Sequence, residues 1–85
     1  MLYTRGNLEG AEQMYRRALE IDERLGRLEG MATTYRNLGN MLRTRGDLVR
    51  AEQMYRKALE TAEQLGSLSR ITQIKSLLDS LREQR

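Results

Sequence analysis

Histidine, cysteine, proline, tryptophan and phenylalanine are all missing from this chain of 85 residues. Without cysteine or histidine there are no disulfide staples, no thiol nucleophile, no imidazole base and no zinc site of the usual kind. No redox compartment can be read from the sequence either. No run approaches the ~20 apolar residues that a membrane-spanning helix needs. The opening Met1-Leu2-Tyr3-Thr4-Arg5 has no apolar core of a secretory signal, so a cytoplasmic location is the expectation. Glycines fall singly, which excludes a phosphate-cradling loop. No carboxylate lies in an apolar run that would raise its pKa. The expectation is therefore a non-enzyme with no catalytic residue, no metal and no cofactor.

What remains is small, charged and helix-forming. At 9.9 kDa the chain is one domain with a modest core. Fifteen basic and 12 acidic residues give a net charge of +3, and charged residues make up 32% of the chain. Mean hydropathy is −0.71, yet an apolar fraction of 39% suffices for an amphipathic helical protein and is too high for disorder.

The dominant feature is an internal duplication. Residues 1–26 and 41–66 match at about 18 of 26 positions, Met1 aligning with Met41. A second pulse runs at half that period: Gly6, Gly26, Gly46 and Gly66 are each followed two residues later by Leu8, Leu28, Leu48 and Leu68. Four glycine-marked turns are predicted, with helices at about 7–25, 28–45, 47–65 and 68–84 after a stub at 1–5. Between Gly46 and Gly66, positions Leu48, Ala51, Met54, Tyr55, Ala58, Leu59, Ala62 and Leu65 trace the i, i+3, i+4, i+7 stripe of a half-buried helix. Asn7 and Asp47 stand where an N-cap would be, and Gly26 and Gly66 where a left-handed C-cap would be. Turns this short make neighbouring helices antiparallel. No alternating run supports a strand.

Residues 32–65 resemble a tetratricopeptide (TPR) repeat. The first helix reads Tyr35-x2-Leu38-Gly39-x2-Leu42 and the second Ala51-x3-Tyr55-x2-Ala58, with Gly46 in the turn. Small residues at Gly39 and Ala51 allow close helix approach, while Tyr35, Leu38 and Leu42 fill the space between the pair. The first copy keeps only the second half of the pattern, in Gly6, Leu8, Ala11, Tyr15 and Ala18. Segment 68–84 aligns with a first helix but carries Lys75 for Tyr35 and Asp79 for Gly39. With its stripe of Leu68, Ile71, Ile74, Leu78 and Leu81 it reads as a capping helix. Two departures stand out. Glu23 and Glu63 occupy the usual proline positions, and the period exceeds the common one of about 34 residues. Both suggest lengthened second helices, as in the repeats of kinesin light chains and G-protein-signalling modulators.

The expected fold is all-α: an antiparallel helix-turn-helix TPR superhelix of about one and a half repeats plus a C-terminal capping helix. The partial repeat spans 1–26, the complete one 28–66 and the cap 68–84. The resemblance implies a protein-protein interaction module whose concave groove takes a peptide or partner helix. The candidate groove residues are Thr33, Arg36, Asn37, Asn40 and Arg43. Arg36 and Asn40 lie four apart on one face, suited to hold an acid and a peptide backbone. Met14, Met31, Met41 and Met54 fall where core packing is expected. Arg16-Arg17 and Arg56-Lys57 have acidic neighbours four residues away, which favours a solvated face over a nucleic-acid patch. The first repeat lacks most of its first helix. Helix 7–25 is therefore expected to expose Ala11, Tyr15 and Ala18, and the second functional reading is a structural element that self-associates through this uncapped end, as a homodimer whose groove is filled by its own copy. Neither nucleic acid nor membrane is an expected partner.

Overall fold

The computed structural model describes residues 5–84, with side chains described from Glu9 onward. It contains four helices: α1 Arg5–Leu25, α2 Leu28–Arg45, α3 Leu48–Leu65 and α4 Leu68–Gln84. The described residues contain no strand. The molecule measures 34 × 31 × 21 Å. The shortest dimension equals two helix diameters of about 10 Å. Chain connectivity then places α1 and α3 in one layer and α2 and α4 in the other.

The three described turns use one device. Gly26, Gly46 and Gly66 have φ of 70°, 87° and 73°, a region that costs a residue with a Cβ but not glycine. At Gly46 the amide donates to the Arg43 carbonyl and the next amide, Asp47, reaches back to Leu42 at 2.9 Å. Gly26–Arg27 and Gly66–Ser67 repeat that pairing with Glu23 and Asp22, and with Glu63 and Ala62. Each pair satisfies carbonyls that the helix end would leave orphaned. The following helices start less uniformly. Asp47 caps α3 by accepting from the Arg50 amide at 3.2 Å, and Ser67 accepts from the Arg70 amide at 3.4 Å. Arg27 gives α2 no side-chain cap.

The first copy departs from the second. α1 begins at Arg5, so Gly6 and Asn7 lie inside a helix instead of forming a turn and cap. In the second copy the same string turns the chain because α2 packs on α3. The expectations for Met1–Thr4 lie outside the described residues.

The core has two connected parts. Tyr35, Leu42, Ala51, Tyr55, Ala58, Ala62, Ile74 and Leu81 join α2, α3 and α4. Leu38 and Met41 of α2 carry Ala11, Tyr15 and Leu19 of α1, with Met54 of α3 alongside. Leu19 and Met54 border both clusters, so one continuous apolar layer runs through the molecule. Leu38, Leu42 and Tyr55 are fully buried, as the motif positions require.

Three burial expectations need correction. Met14 is 72% exposed instead of packed, because it points away from α2. Ala11, Tyr15 and Ala18 are half-buried, since the opposite flank of α1 leans on Leu38 and Met41. Among the described residues of α1, the large apolar side chains left in solvent are Met14, Ile21 and Leu25. In the cap, Ile74 and Leu81 are buried and Ile71 and Leu78 half-buried, but Leu68 at the first position of α4 is exposed, with no turn before it to pack on.

Candidate functional site

Alternate helices are parallel when neighbours are antiparallel, so α2 and α4 run side by side in one direction. A ladder of side chains joins them. Arg70 Nη1 donates to Thr33 Oγ1 at 2.8 Å. Arg36 Nη1 donates to Gln73 Oε1 at 3.1 Å. Arg43 Nη2 donates to Ser80 Oγ at 2.9 Å, while its Nε donates to Gln84 Oε1 at 2.6 Å. Three of these rungs link residues 37 apart, which fixes the register of the two helices. The α2 members are Thr33, Arg36 and Arg43, three of the five residues expected to line a groove. The sequence pattern did not single out Arg70, Gln73, Ser80 or Gln84. Only the pairing of α2 with α4 reveals them.

The other two candidates sit beside the ladder. Arg36 Nη2 donates to Asn37 Oδ1 at 3.4 Å. The Tyr55 hydroxyl, reaching from α3, donates to Asn40 Oδ1 in a short hydrogen bond. Both asparagine oxygens are thus committed within the protein, and each amide nitrogen keeps donors for an incoming carbonyl or carboxylate. Burial raises the Tyr55 pKa, and the nearby Arg43 guanidinium offsets part of that rise. The hydroxyl therefore stays protonated and holds the Asn40 side chain in place.

The arginines divide into two sets by the partners they find. Arg16, Arg45 and Arg50 converge on Glu12 at 3.0, 2.9 and 3.1 Å. Arg50 also meets Asp47 at 3.5 Å, and Arg56 meets Glu52 at 2.7 Å. The i, i+4 pairs are those the sequence spacing predicts; the convergence of Arg45 and Arg50 on Glu12 is a tertiary effect that it does not. Partial burial pushes the Glu12 carboxyl up, but the hydrogen bonds and charges of Arg16 and Arg50 outweigh this and hold it below its ordinary value. By contrast, among the described residues Arg36, Arg43 and Arg70 hydrogen-bond to neutral oxygens, those of Gln73, Asn37, Gln84, Ser80, Thr33 and the Tyr55 hydroxyl. Their positive charge is oriented without being neutralised. Lys57 on α3 lies 5.8 Å above the Tyr35 ring and does not join either set.

No group of three or more acidic residues that could hold a metal ion occurs among the described residues. No described helix is long and apolar enough to cross a membrane.

A family model for the tetratricopeptide repeat matches residues 1–64. That is most of the chain, and together with the four helices it shows that this protein belongs to the TPR family. Among curated proteins and among solved structures, none matches significantly. TPR repeats generally mediate protein-protein interaction and are typically non-catalytic.

Proposed function

We propose that the face shared by α2 and α4 binds an acidic peptide segment of a partner protein. The observation that carries this reading is the neutral pairing of Arg36, Arg43 and Arg70. A guanidinium held by an amide or hydroxyl oxygen keeps its full charge and its remaining donors, whereas one paired with a carboxylate has its charge compensated. The ladder fixes each head in position, so little rotamer freedom remains to be lost on binding. Arg36 and Arg43 are seven residues apart, about 10 Å along the helix axis. Acidic groups separated by two helical turns, or by about three residues of extended chain, match that interval. Asn37 and Asn40 lie between them and offer amide donors to the peptide backbone. The repeat counterparts on α4 are Gln73, Ser76, Leu77, Ser80 and Glu83, so a carboxylate enters this face only at its last turn.

The test is binding of the full chain to a peptide library spanning acidic and neutral sequences, with Arg36→Glu and Arg43→Glu measured beside the wild type. Capture of acidic peptides, weakened about tenfold or more in each variant and falling with added salt, is the expected result. Equal affinity of wild type and variants for the captured peptides would remove the arginines from the site. The second reading, self-association through α1, rests on the exposed Met14, Ile21 and Leu25. It predicts a mass that rises with concentration.

A further inference from the structure

The ladder between α2 and α4 does not carry its charge evenly. At its start two arginines cross in opposite directions on neighbouring rungs. Arg70 reaches from α4 to the Thr33 hydroxyl, and Arg36 reaches from α2 to the Gln73 amide. Thr33 and Arg36 are three residues apart, about 4.5 Å along the α2 axis. Farther along, Arg43 stands alone. It bonds Gln84, Ser80 and the Tyr55 hydroxyl, so more of its donors are committed.

The same hydrogen bonds fix which polar ends face outward. An arginine has donors and no acceptor, so every amide or hydroxyl that it meets must turn an oxygen to it. Thr33, Asn37 and Gln73 each give that oxygen to Arg36 or Arg70. What they keep is the Thr33 hydroxyl hydrogen and the amide nitrogens of Asn37 and Gln73, all donors. Among the described residues, Arg70 commits one and Arg36 two of the five N–H donors that each guanidinium has. All five side chains are half-buried or exposed and so within reach of a ligand. Glu29, exposed and one turn before Thr33, bounds the cluster at its outer end.

We propose that this end of the face is a phosphoryl subsite, taking a phosphoserine or phosphothreonine of the partner segment while Arg43 takes a carboxylate farther along. The inference rests on the acidic-peptide reading above and narrows its ligand. A carboxylate has two oxygens and one charge, which leaves one of two adjacent arginines uncompensated. A phosphoryl group carries a charge of about −1.5 to −2 at pH 7 and three strong acceptor oxygens. It can engage both crossed guanidinium groups and still accept from Thr33 and the amides. The free ion lacks the second anchor at Arg43, about 10 Å away along α2, so the arrangement selects a modified peptide over phosphate itself. Phosphorylation of the partner is then the step that switches binding on.

The experiment measures binding of the full chain to three matched peptide libraries. Each has one fixed position, holding phosphoserine, glutamate or serine, and a glutamate about three residues to either side. Phosphoserine peptides are expected to bind about tenfold or more tighter than their glutamate counterparts. Arg70→Gln should remove most of that advantage, weakening phosphoserine peptides more than glutamate ones. Arg70 makes only a surface hydrogen bond to Thr33, and circular dichroism checks that the variant keeps its helices. The chain has no histidine. A rise in phosphoserine binding between about pH 5 and 7, absent with glutamate, therefore reports the second ionisation of the phosphoryl group. Phosphoserine and glutamate peptides bound equally, and both weakened by Arg36→Glu, overturn the phosphoryl subsite and keep the acidic-peptide site. Capture of no peptide overturns both. Inorganic phosphate that competes at the concentration of the peptide, or single-stranded RNA that binds as tightly and is lost in Arg70→Gln, would give the cluster another ligand and overturn the proposed partner.

Discussion

A Cβ placed on Gly39 would lie 2.5 Å from Cδ1 and Cε1 of Tyr55. The fully buried Tyr55 ring therefore rests against the α2 backbone itself, and this contact sets how closely α2 and α3 approach. The hydroxyl of the same ring emerges beside Asn40. One residue thus sets the helix spacing and orients a side chain on the candidate binding face.

Gly39→Ala is expected to destabilise the protein by about 1–3 kcal/mol, because the ring is enclosed and cannot move aside. The change improves helix propensity by about 1 kcal/mol, so the sign itself is diagnostic. Gly10→Ala is the control. Nothing lies within 4 Å of a Cβ there, and a gain of about 0.5–1 kcal/mol is expected. Urea unfolding of both variants decides the matter.

Asp47→Ala removes the acceptor for the Arg50 amide and is expected to cost about 1 kcal/mol. It also removes the Asp47–Arg50 ion pair, which is exposed and adds little. Asp47→Asn keeps the cap and should recover most of the loss in thermal melts.

Glu12 gathers Arg16, Arg45 and Arg50 from three helices. Its folded-state pKa is lowered by those arginines against the opposing effect of burial. A carboxyl with a depressed folded pKa contributes stability that is complete above its unfolded value and is lost as pH falls through the folded value. Acid titration of stability should therefore show a loss beginning near the ordinary glutamate range. Glu12→Gln should flatten that loss and lower stability at neutral pH by about 1 kcal/mol. The measurement is unfolding free energy against pH for both proteins.

Tyr55→Phe deletes the bond to Asn40 and is expected to cost about 1 kcal/mol while leaving the ring packing in place. Burial raises the Tyr55 pKa, partly offset by Arg43. A raised folded pKa contributes stability that is complete below the unfolded value and is lost as pH rises through the folded one. Wild type should then lose more stability than Tyr55→Phe on alkaline titration, as followed by circular dichroism.

The sequence by itself determined the helices α2, α3 and α4, their turns and their buried stripes. Those depend on local chemistry: left-handed glycines at 26, 46 and 66, a capping Asp47, and apolar residues at helical spacing. The TPR resemblance, read from Gly39, Ala51, Tyr55 and Ala58, also held, because these small and large residues express the helix spacing directly. Tertiary structure decided what local rules leave open. The string around Gly6 is helix and the same string around Gly46 is the turn that joins α2 to α3, a difference the shared local sequence does not set. Met14 and Met54 occupy matching places in the repeat, yet Met14 is exposed while Met54 packs on Leu38 and Met41 of α2. Likewise, the difference between arginines held by carboxylates and those held by neutral oxygens depends on which helices stand side by side. A one-dimensional pattern gives the faces of a helix, but only packing says which faces are covered and by what.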